Sequence, residues 1–434
     1  MIWSKSASSA PDDWVVRFTV GDDWRWDRLL LPYDLRGTEA HAWALAQIGL
    51  LTGDEHAQIA EALEAIGRDA EAGEVTVNPE DEDCHTVIER ELTERLGDLG
   101  KKIHAGRSRN DQVLVALRLW MRDGLDAVAQ KVKQTAEALI GLAGENGDAV
   151  MPAYTHMQRA MPTTAGLWAA AYAELLLDDL DGLQFAREQA NASPWGSAAG
   201  YGVPHLPFDR DGVAERLGFA RVQRHVPAVQ LSRGKMEAAA VHALVQAGLT
   251  ANRLASDLVL FATGEFAFVK LPAAHTTGSS IMPQKRNPDV LELARATYHR
   301  LTSELHLLLT LPANLPGGYH RDLQLTKEAT MRAVIASQDL MSALAAVLPG
   351  VDWQPLAMRA ALSPDLFATA EALERVGAGT AFRDAYREVG THLGDLSVPP
   401  EADALASYPT PGTPGRVDVD ALRQRLSLAD GTAA

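Results

Sequence analysis

The sequence predicts an all-α protein of three domains: an N-terminal helical domain at residues 1–108, a central bundle of long helices at 109–355, and a small C-terminal helical domain at 356–434. Apolar residues recur at the spacing of an amphipathic helix along most of the chain, and the alternation typical of β-strands is scarce. The longest helical stretches cover roughly 20–30 residues and would measure ~30–45 Å. Helices this long and apolar imply a bundle that also packs against other chains.

The first helical pattern covers residues 38–69, where apolar side chains recur on one face. Another helix is predicted to begin at Asn78, with that residue as the cap, Pro79 at the first helical position and acids in the first turn. The four successive acids at 80–83 look like a metal site, but the helix dipole favours acids there, so capping is the preferred interpretation.

Five long helices are predicted to follow, at residues 111–144, 165–190, 235–263, 288–311 and 326–348. The fourth begins with Asn287 as its cap and Pro288 at its first position. Its apolar end, Leu307 to Leu309, is expected to be buried on most sides. Segments that contain glycine and proline break the helical pattern at residues 151–162, 193–207 and 312–318.

The last part of the chain is predicted to be a small helical domain. Ser363 is a plausible cap, Pro364 follows at the first helical position, and the helical pattern continues to about residue 396. A stretch rich in proline and glycine, residues 399–415, is predicted to be a loop before a short last helix at 418–426.

Composition and charge exclude several classes of function. The chain has 434 residues, 47% of them hydrophobic, which suffices for two or three domains with sizeable cores. The net charge of −17 argues against general binding to nucleic acid or to anionic membranes. Basic residues nevertheless cluster at 101–109, 285–286 and 320–327, as a locally positive pocket for an anionic substrate would require.

One cysteine, Cys84, cannot form an internal disulfide or a cysteine-based zinc site, and we expect it to be a small buried hydrophobe. Residues 1–14 lack the apolar region of a secretory signal. Charges interrupt the longest apolar stretches before the ~20 residues that a membrane span needs. A soluble, cytoplasmic protein is therefore expected.

The most informative motif is the segment from Gly278 to Pro288, GSSIMPQKRNP. It places two hydroxyls, a lysine, an arginine and an amide between a glycine and a proline. A mobile loop that offers a hydroxyl as an acid or base beside a fixed positive charge needs this combination. The segment therefore indicates proton chemistry on an anionic substrate.

Other motifs leave alternatives open. His156 lies in a polar turn between two prolines, where it is either a structural residue or a general acid or base, because its reference pKa is near ~6.5. Residues 106–111 either form a solvated loop that caps the next helix or clamp carboxylates with their two arginines. His85 and Glu89 have metal-ligand spacing without a third ligand, so a surface or interhelical polar pair is preferred. Gly200 to Gly202 lacks the dinucleotide fingerprint and is interpreted as a tight loop.

Taken together, these motifs resemble those of the fumarase/aspartase superfamily, whose members eliminate fumarate from succinyl compounds. The Met-Pro-Gln-Lys version of the signature is similar to that of the argininosuccinate lyase family. The resemblance covers about residues 14 to 430. Further segments that carry it are His104–Val113, Tyr154–Ala160, Tyr319–Lys327, Asp34–His41 and Phe382–Ala385.

The resemblance implies roles for individual residues. Ser279, the first serine of the pair, and His156 match the family's catalytic residues, and Glu292 matches the acid that raises the basicity of the histidine. Lys285 and Asn287 match residues that hold a substrate carboxylate and stabilise charge. The remaining positions that match substrate-binding residues are Ser108, Arg109, Asn110, Thr155, Gln158, Tyr319, Gln324 and Lys327.

The implied reaction removes a proton from the carbon beside a carboxylate and passes through an aci-carboxylate carbanion. Each well-placed donor around that carboxylate would lower the barrier by ~3–4 kcal/mol. A base and an acid must stand on opposite sides of the breaking bonds. The family has been described with His156 as base and Ser279 as acid, or the reverse, and we favour Ser279 on the carbon proton. No metal or organic cofactor is implied.

The resemblance also implies a homotetramer with a 20-helix core, whose sites form where segments of three subunits meet. Two alternatives remain: a lyase on a related fumarate-releasing succinyl compound, and a non-catalytic crystallin-like protein on the same fold. Residues 230–235 replace a more usual Ser-Asp-Arg-Asp-type stretch. A substrate-binding serine of the family aligns with Asp23, where an acid either disfavours a substrate carboxylate or holds the amino group of an arginine.

Overall fold

The computed structural model of the chain describes residues 12–431. Helices dominate it, which confirms the predicted all-α class. The argument against a secretory signal concerns residues 1–14, of which the first eleven lie outside the described residues. The helices are α1 (Asp13–Val20), α2 (Asp23–Gln47), α3 (Gly53–Glu71), α4 (Cys84–Leu96), α5 (Arg109–Glu145), α6 (Ala165–Ala190), α7 (Arg210–Arg216), α8 (Val226–Leu231), α9 (Lys235–Phe261), α10 (Asp289–Thr310), α11 (Leu325–Val347), α12 (Pro355–Ala360), α13 (Ala368–Gly377), α14 (Phe382–Thr391), α15 (Glu401–Ala406) and α16 (Val419–Gly431).

Strands are short and occur in pairs. A hairpin of two antiparallel strands interrupts the helices between α5 and α6, and the other pairs have two residues a strand. The pairs are β1 (Val150–Thr155) with β2 (Gln158–Thr164), β3 (Ala192–Ser193) with β4 (Arg221–Val222), β5 (Val269–Lys270) with β8 (Asp352–Trp353), and β6 (Thr277–Gly278) with β7 (Arg286–Asn287). The β3–β4 pair is parallel and the others are antiparallel.

The five long helices predicted for the central region are confirmed as α5, α6, α9, α10 and α11, with ends that differ by a few residues. Their apolar stripes are buried as expected: Leu117, Leu125 and Val132 of α5 are each at most 1% exposed. The predicted burial of the end of α10 is wrong for this single chain. Leu308 is buried there, but Leu307 and Leu309 are 37% and 59% exposed, because adjacent helical residues point in different directions.

The pattern at residues 38–69 belongs to two helices, α2 and α3. Thr52 is the N-cap of α3 and forms a capping box with Glu55. Thr52 Oγ1 accepts a hydrogen bond from Glu55 N at 3.2 Å, and the Glu55 carboxylate accepts one from Thr52 N at 2.9 Å. The apolar period continues across the break, so periodicity alone did not show it.

The helix start predicted at Asn78 is wrong, because α4 begins at Cys84. Asp83 is its cap and accepts a hydrogen bond from Thr86 N at 2.8 Å. Asn78 N instead donates to the Asp81 carboxylate at 2.8 Å, which closes a turn, and Glu82 has a φ of +67°, outside the helical region. The capping interpretation of the acids therefore holds for Asp83, at the last acidic position.

The predicted start of α10 and the predicted elements of the C-terminal region differ from the structure by a few residues or by one short helix. Asn287 lies in β7 and α10 starts at Asp289, just after Pro288. In the C-terminal region, Pro364–Phe367 form a single 3₁₀ turn before α13, and Ser363 makes no side-chain capping bond. The predicted loop at 399–415 contains α15, and the last helix, α16, is longer than expected.

Contacts within the chain group it into two compact units, whose limits fall inside the five long helices. Unit 1 is Met1–Ala127, Leu183–Leu244 and Thr302–Ile335, and unit 2 is Val128–Gly182, Val245–Leu301 and Ala336–Ala434. The domain limits at residues 108 and 355 stay predictions. The unit 1 core includes an apolar cluster around Trp195, Leu119 and Phe219, with Phe208 packed edge-on against Trp195 at 5.1 Å.

Unit 2 has its own aromatic core. Trp168 packs edge-on against Trp353, with ring centroids 5.3 Å apart, and Phe261 packs against both. Trp168 Nε1 and Tyr172 OH both donate to Asp257, at 2.9 and 2.8 Å, whereas Trp353 Nε1 is buried without a hydrogen-bond partner among the described residues. Smaller clusters around Phe367 and around Ala385 complete its C-terminal part.

One helix of the described chain, Arg321–Gly350, is long and apolar enough to cross a membrane by length and composition alone. Half of its most apolar window is buried within the chain. Lys327, near its start, is buried in an ion pair. These are the properties of a core helix in a soluble protein, which passes the same test.

Gly100, in a 3₁₀ turn after α4, should not tolerate a side chain. A Cβ there would lie 2.3 Å from the carbonyl oxygen of Leu92 and 2.7 Å from Thr93 N, so backbone would have to move. Gly100→Ala should lower the free energy of unfolding by roughly 1–3 kcal/mol. The control is Gly53→Ala, at an exposed position where the added Cβ would meet no other part of the protein within 4 Å. Equal unfolding midpoints in denaturant for the two variants would contradict this account.

Candidate active site

The Gly278–Pro288 segment forms a loop closed at its base by β6 and β7. Thr277 pairs with Asn287 and Gly278 with Arg286, and Asn287 Nδ2 donates to the Gly278 carbonyl at 3.4 Å. Between the strands, residues 280–286 are exposed, including Ile281 at 83%. The loop thus presents its side chains to solvent from a short base of paired strands, and its predicted mobility stays a prediction.

Ser279 occupies the first turn of this loop. Its Oγ accepts hydrogen bonds from Met282 N at 3.1 Å and, more weakly, from Ile281 N at 3.4 Å. Backbone N–H groups aimed at a hydroxyl oxygen favour negative charge on it. Lys285 is exposed on the same loop and adds a positive charge. The local geometry therefore suits a serine that gives up its proton.

His156 lies at the tip of the β1–β2 hairpin, in unit 2. Thr155 pairs with Gln158, so His156 and Met157 form a two-residue turn, and both have positive φ, 53° and 58°. Turns of this kind match the twist of a hairpin but favour glycine or asparagine. Thr155, His156 and Gln158 are all exposed. The hairpin thus holds the histidine out into solvent.

Glu292 lies in the first turn of α10 and is exposed. Across the described residues, no hydrogen bond or ion pair joins His156 to Glu292 or to Ser279. The proposed catalytic residues of unit 2 therefore stand on separate exposed elements of the single chain, the hairpin and the loop that leads into α10. Their assigned roles stay predictions.

Three of the predicted substrate-binding residues lie close together in sequence in unit 1: Tyr319 and Gln324 precede α11, and Lys327 lies in its first turn. Lys327 is buried and forms ion pairs with Asp23 at 2.8 Å and with Asp27. Burial by itself would lower the pKa of Lys327, but Asp27 and Asp23 outweigh it and raise the pKa. Gln324 Nε2 donates to the carbonyl of Thr19 at 3.0 Å, which ties the segment to the end of α1.

Tyr319, on the same segment, packs under a buried arginine that the sequence analysis had not assigned. The guanidinium of Arg233 lies 5.3 Å from the Tyr319 ring centroid, and its Nη2 donates to the Leu323 carbonyl at 3.2 Å. Arg233 is 5% exposed, and its Nε and Nη1 have no hydrogen-bond partner within residues 12–431. Residues 230–235, noted as a departure from the family pattern, therefore reach this part of unit 1.

Ser108, Arg109 and Asn110 lie at the start of α5, also in unit 1. Asn110 N donates to Ser108 Oγ at 3.3 Å, and Ser108 N donates to Asp111 at 3.2 Å. The guanidinium of Arg109 forms ion pairs with Glu82 at 2.9 Å and with Asp83 at 3.2 Å. In this chain Arg109 thus fixes the turn before α4, and its predicted contact with substrate stays a prediction.

The basic cluster at residues 101–109 does not form a free positive surface. Lys101 pairs with Asp98 at 2.7 Å and Lys102 with Glu55 at 2.5 Å. Arg107 is buried within 3.4 Å of Asp34. Each of these cations has an acidic partner, so the positive pocket expected at this cluster is not present in the single chain.

The sequence analysis missed a buried polar network between α2, α4 and the start of α5. Asp34 is fully buried and accepts from His85 Nδ1 at 2.6 Å, from Gln112 at 3.2 Å and from Arg107 at 3.4 Å. The predicted interhelical polar pairing is found here, because His85 of α4 pairs with Asp34 of α2, and Glu89 lies 3.6 Å from His104. A signal was present: Asp27 and Asp34 are seven apart, on one face of α2.

Cys84 is buried, as expected, but its surroundings are polar. Its sulfhydryl donates to Asp27 Oδ1 at 3.1 Å, and burial and Asp27 raise its pKa well above the ordinary value. The ligand atoms of Asp27, Cys84 and His85 lie within 4.8 Å of one another. Asp27 is already paired with Lys327, and His85 with Asp34. A cation placed among them would meet the ammonium of Lys327, so this group is better described as a hydrogen-bonded network.

The chain matches a family described as lyase over residues 18–302. Argininosuccinate lyase of Sorangium cellulosum (strain So ce56) is 45% identical over 425 residues, 98% of this chain and 98% of that protein. Argininosuccinate lyase of Xanthomonas campestris pv. campestris (strain B100) is 43% identical over 430 residues, with the same coverage. That of Stenotrophomonas maltophilia (strain R551-3) is 42% identical over 430 residues, again 98% of each.

Solved structures show the same fold. A crystal structure of EDDS lyase in complex with formate superposes with a TM-score of 0.77 at 24% identity, covering 98% of this chain and 94% of that chain. A class II fumarase from Schistosoma mansoni gives a TM-score of 0.72 at 15% identity, covering 87% and 91%. At these identities the likeness supports the fold alone.

Proposed function

The chain belongs to the argininosuccinate lyase family of the fumarase/aspartase superfamily, and from this premise we propose that it cleaves argininosuccinate into arginine and fumarate. The observation that carries the proposal is the identity of 42–45% to argininosuccinate lyases over 98% of both chains. The Gly278–Pro288 segment is present with its serine, lysine and asparagine.

We propose that Ser279 removes the proton from the carbon beside a succinyl carboxylate. The electron pair of that C–H bond moves into the carboxylate, which becomes an aci-carboxylate, and then forms the double bond of fumarate as the C–N bond breaks. Two N–H donors at the Ser279 oxygen, with Lys285 on the same loop, support this role because they favour an alkoxide. Asn287, at the base of the loop, is assigned to the substrate carboxylate.

His156 would then protonate the departing guanidino nitrogen, with Glu292 raising its basicity. His156 lies at an exposed hairpin tip, where it packs against no core. This position supports a role in an active site that a neighbouring subunit helps to form. Thr155 and Gln158, which pair on either side of the tip, are assigned to substrate binding. Ser108, Arg109, Asn110, Tyr319, Gln324 and Lys327 are assigned to the same task in unit 1.

We further propose a homotetramer in which neighbouring subunits complete each site. Large apolar side chains remain exposed on the long helices of the single chain, among them Leu175, Leu249, Leu293 and Leu309, exposed by 41%, 38%, 69% and 59%. Exposed apolar surface on helices of this kind marks an interface between proteins. In keeping with the family, we place the enzyme in the cytoplasm, at the last step of arginine biosynthesis.

Purified protein should release fumarate when argininosuccinate is added, seen as a growing ultraviolet absorbance. The same assay with adenylosuccinate should show no product, which separates this substrate from other succinyl compounds. Light scattering on the same sample should give four times the mass of one chain. A folded tetramer that forms no fumarate from argininosuccinate would rule the proposal out.

A further inference from the structure

A large groove in unit 1 is lined by none of the residues that were assigned to catalysis or to substrate binding. It has a volume of about 870 Å³ and lies between α2 and α3, with Arg216 and Leu217 from the end of α7 also in its lining. The lining residues of α2 fall between Arg28 and Glu39, and those of α3 between His56 and Glu71. These stretches correspond to ~16 Å and ~22 Å of helix, so the groove is elongated and follows the helix pair.

The floor of the groove is apolar, and two of its residues are unusual inside a helix. Leu31, Leu35 and Leu63 are buried there. Pro32 lies inside α2, where it cannot donate the helix hydrogen bond to the carbonyl one turn earlier. Gly67 lies inside α3, and a Cβ at this position would meet only Leu35 Cδ1, at an ordinary 3.7 Å. Packing within the chain therefore does not require this glycine, whereas the close approach of a further backbone would be helped by it.

Exposed charges border the floor on both sides. Arg28 and Arg36 stand on α2, and Glu64 and Glu71 stand on α3. Within residues 12–431, neither glutamate forms an ion pair, and Arg28 donates to a backbone carbonyl at 2.7 Å without an acidic partner. Arg36 lies 4.0 Å from Asp123, at the limit of an ion pair. The α2 wall of the groove is therefore basic and the α3 wall is acidic.

The remaining acid of the groove is already paired. Glu39 accepts a hydrogen bond from Arg216 Nε at 2.8 Å and lies 3.2 Å from His56 Nε2. This cluster joins α2, α3 and α7 and bounds one end of the groove. The charges that a ligand along the groove would meet are therefore the two arginines of the α2 wall and the two glutamates of the α3 wall.

We propose that this groove binds an amphipathic helix of another protein, with its apolar stripe on the floor, its acids facing α2 and its bases facing α3. The elongated shape favours a helix over a compact small molecule, because ~16–22 Å is about three to four helical turns. The opposite charges of the two walls require a partner with both acids and bases. Such a partner differs from the purely basic molecules that a protein with a net charge of −17 attracts in general.

The test measures the binding of three fluorescent helical peptides of about 15 residues to the full-length protein by fluorescence anisotropy. All three share one apolar stripe, which is bordered by glutamates on one edge and lysines on the other, by glutamates on both edges, or by lysines on both edges. The peptide with mixed edges should bind at least about 10-fold more tightly than the other two. Absence of binding by this peptide, or tightest binding by the lysine peptide, would overturn the proposal.

A double variant tests the charge of the walls. Arg28→Glu combined with Arg36→Glu makes both walls acidic, so the lysine peptide should now bind most tightly and the mixed peptide should lose about 10-fold in affinity. The control is Arg68→Glu, which makes the same kind of change at an exposed residue of α3 outside the groove and should leave the order of the three peptides unchanged. An unchanged order in the double variant would contradict the proposal.

A second variant tests the space in the groove. Gly67→Leu should weaken binding of the mixed peptide by at least about 10-fold, because the leucine side chain occupies the place of the peptide. The control is Ala57→Leu, at an exposed residue of α3 outside the groove. Equal binding by the two variants would place the peptide elsewhere on the protein. A change in the mass of the assembly with Gly67→Leu, measured by light scattering, would show that a second copy of this chain occupies the groove. Either result would overturn the proposal, and the double variant on the exposed wall tests it if Gly67→Leu does not fold.

Discussion

Ser279→Ala should lower kcat for fumarate release by about 10²–10⁴-fold, the usual contribution of a positioned acid or base. The physical reason is local: without the hydroxyl, the N–H groups of Ile281 and Met282 have no oxygen whose charge they can stabilise. Fumarate absorbance under saturating argininosuccinate measures the effect. The mass of the assembly should not change, because this exposed loop contributes little to the core.

Ser280→Ala is the matched control, since Ser280 is the exposed neighbour in the same loop and has no assigned role. It should retain the activity of the unaltered protein. Near-normal activity of Ser279→Ala would exclude its role in proton transfer. Equal losses in the two variants would show that the loop, rather than one hydroxyl, is what the reaction needs.

Asp34→Ala should lower the free energy of unfolding by about 3–5 kcal/mol, the range for breaking a buried ion pair by removing one partner. The carboxylate of Asp34 is fully buried, and its loss leaves His85, Arg107 and Gln112 without their common acceptor. Arg107 would keep its bond to Thr38 at 2.7 Å, which is too little to compensate a buried charge. Denaturant unfolding at a fixed protein concentration measures the difference.

The control is Asp98→Ala, which removes an exposed ion pair with Lys101 and should leave the unfolding free energy unchanged within error. An Asp34→Ala variant as stable as this control would contradict the importance of the network. Loss of stability should be accompanied by loss of activity only to the extent that the variant is unfolded, because Asp34 has no assigned contact with substrate.

The same network should make stability depend on pH in two directions. Burial alone would raise the pKa of Asp34, but His85 and Arg107 lower it below 3.8, so its contribution is present above 3.8 and is lost as the pH falls through the lowered value. Burial alone would lower the pKa of His85, but Asp34 raises it above 6.5, so its contribution is present below 6.5 and is lost as the pH rises through the raised value. In the Asp34→Ala variant, the free energy of unfolding should therefore depend less on pH at both the acidic and the neutral end of the profile.

Local patterns predicted the elements well where one pattern covers a whole element. The apolar stripe of α5, in which Leu117, Leu125 and Val132 are buried, could be predicted because a long helix repeats the same spacing many times. Short elements were placed less well. Asn78 and Asp83 are both good caps in isolation, and the turn that Asp81 closes decides between them.

Candidate site residues were assigned by motif, but the residues with which they pair in the structure were not predicted. Asp27, Cys84 and Lys327 are far apart in the chain, and the first and the last differ by 300 in residue number. Helical periodicity describes each residue against its neighbours in sequence. An ion pair depends instead on which helix faces are packed together, and on how much burial raises the cost of leaving a charge alone.

The sequence by itself determined the fold class, the long helices and the Gly278–Pro288 loop with its serine and lysine, because each follows from spacing and residue type within one short window. Only the tertiary structure decided which cation pairs with which acid. It joined Lys327 to Asp23 and Asp27, Arg109 to the acids before α4, and left Arg233 with unused donors. The reason is that ion pairing depends on the distance between charges in space and on how deeply they are buried. Neither quantity can be obtained from the pattern of neighbouring residues in the sequence.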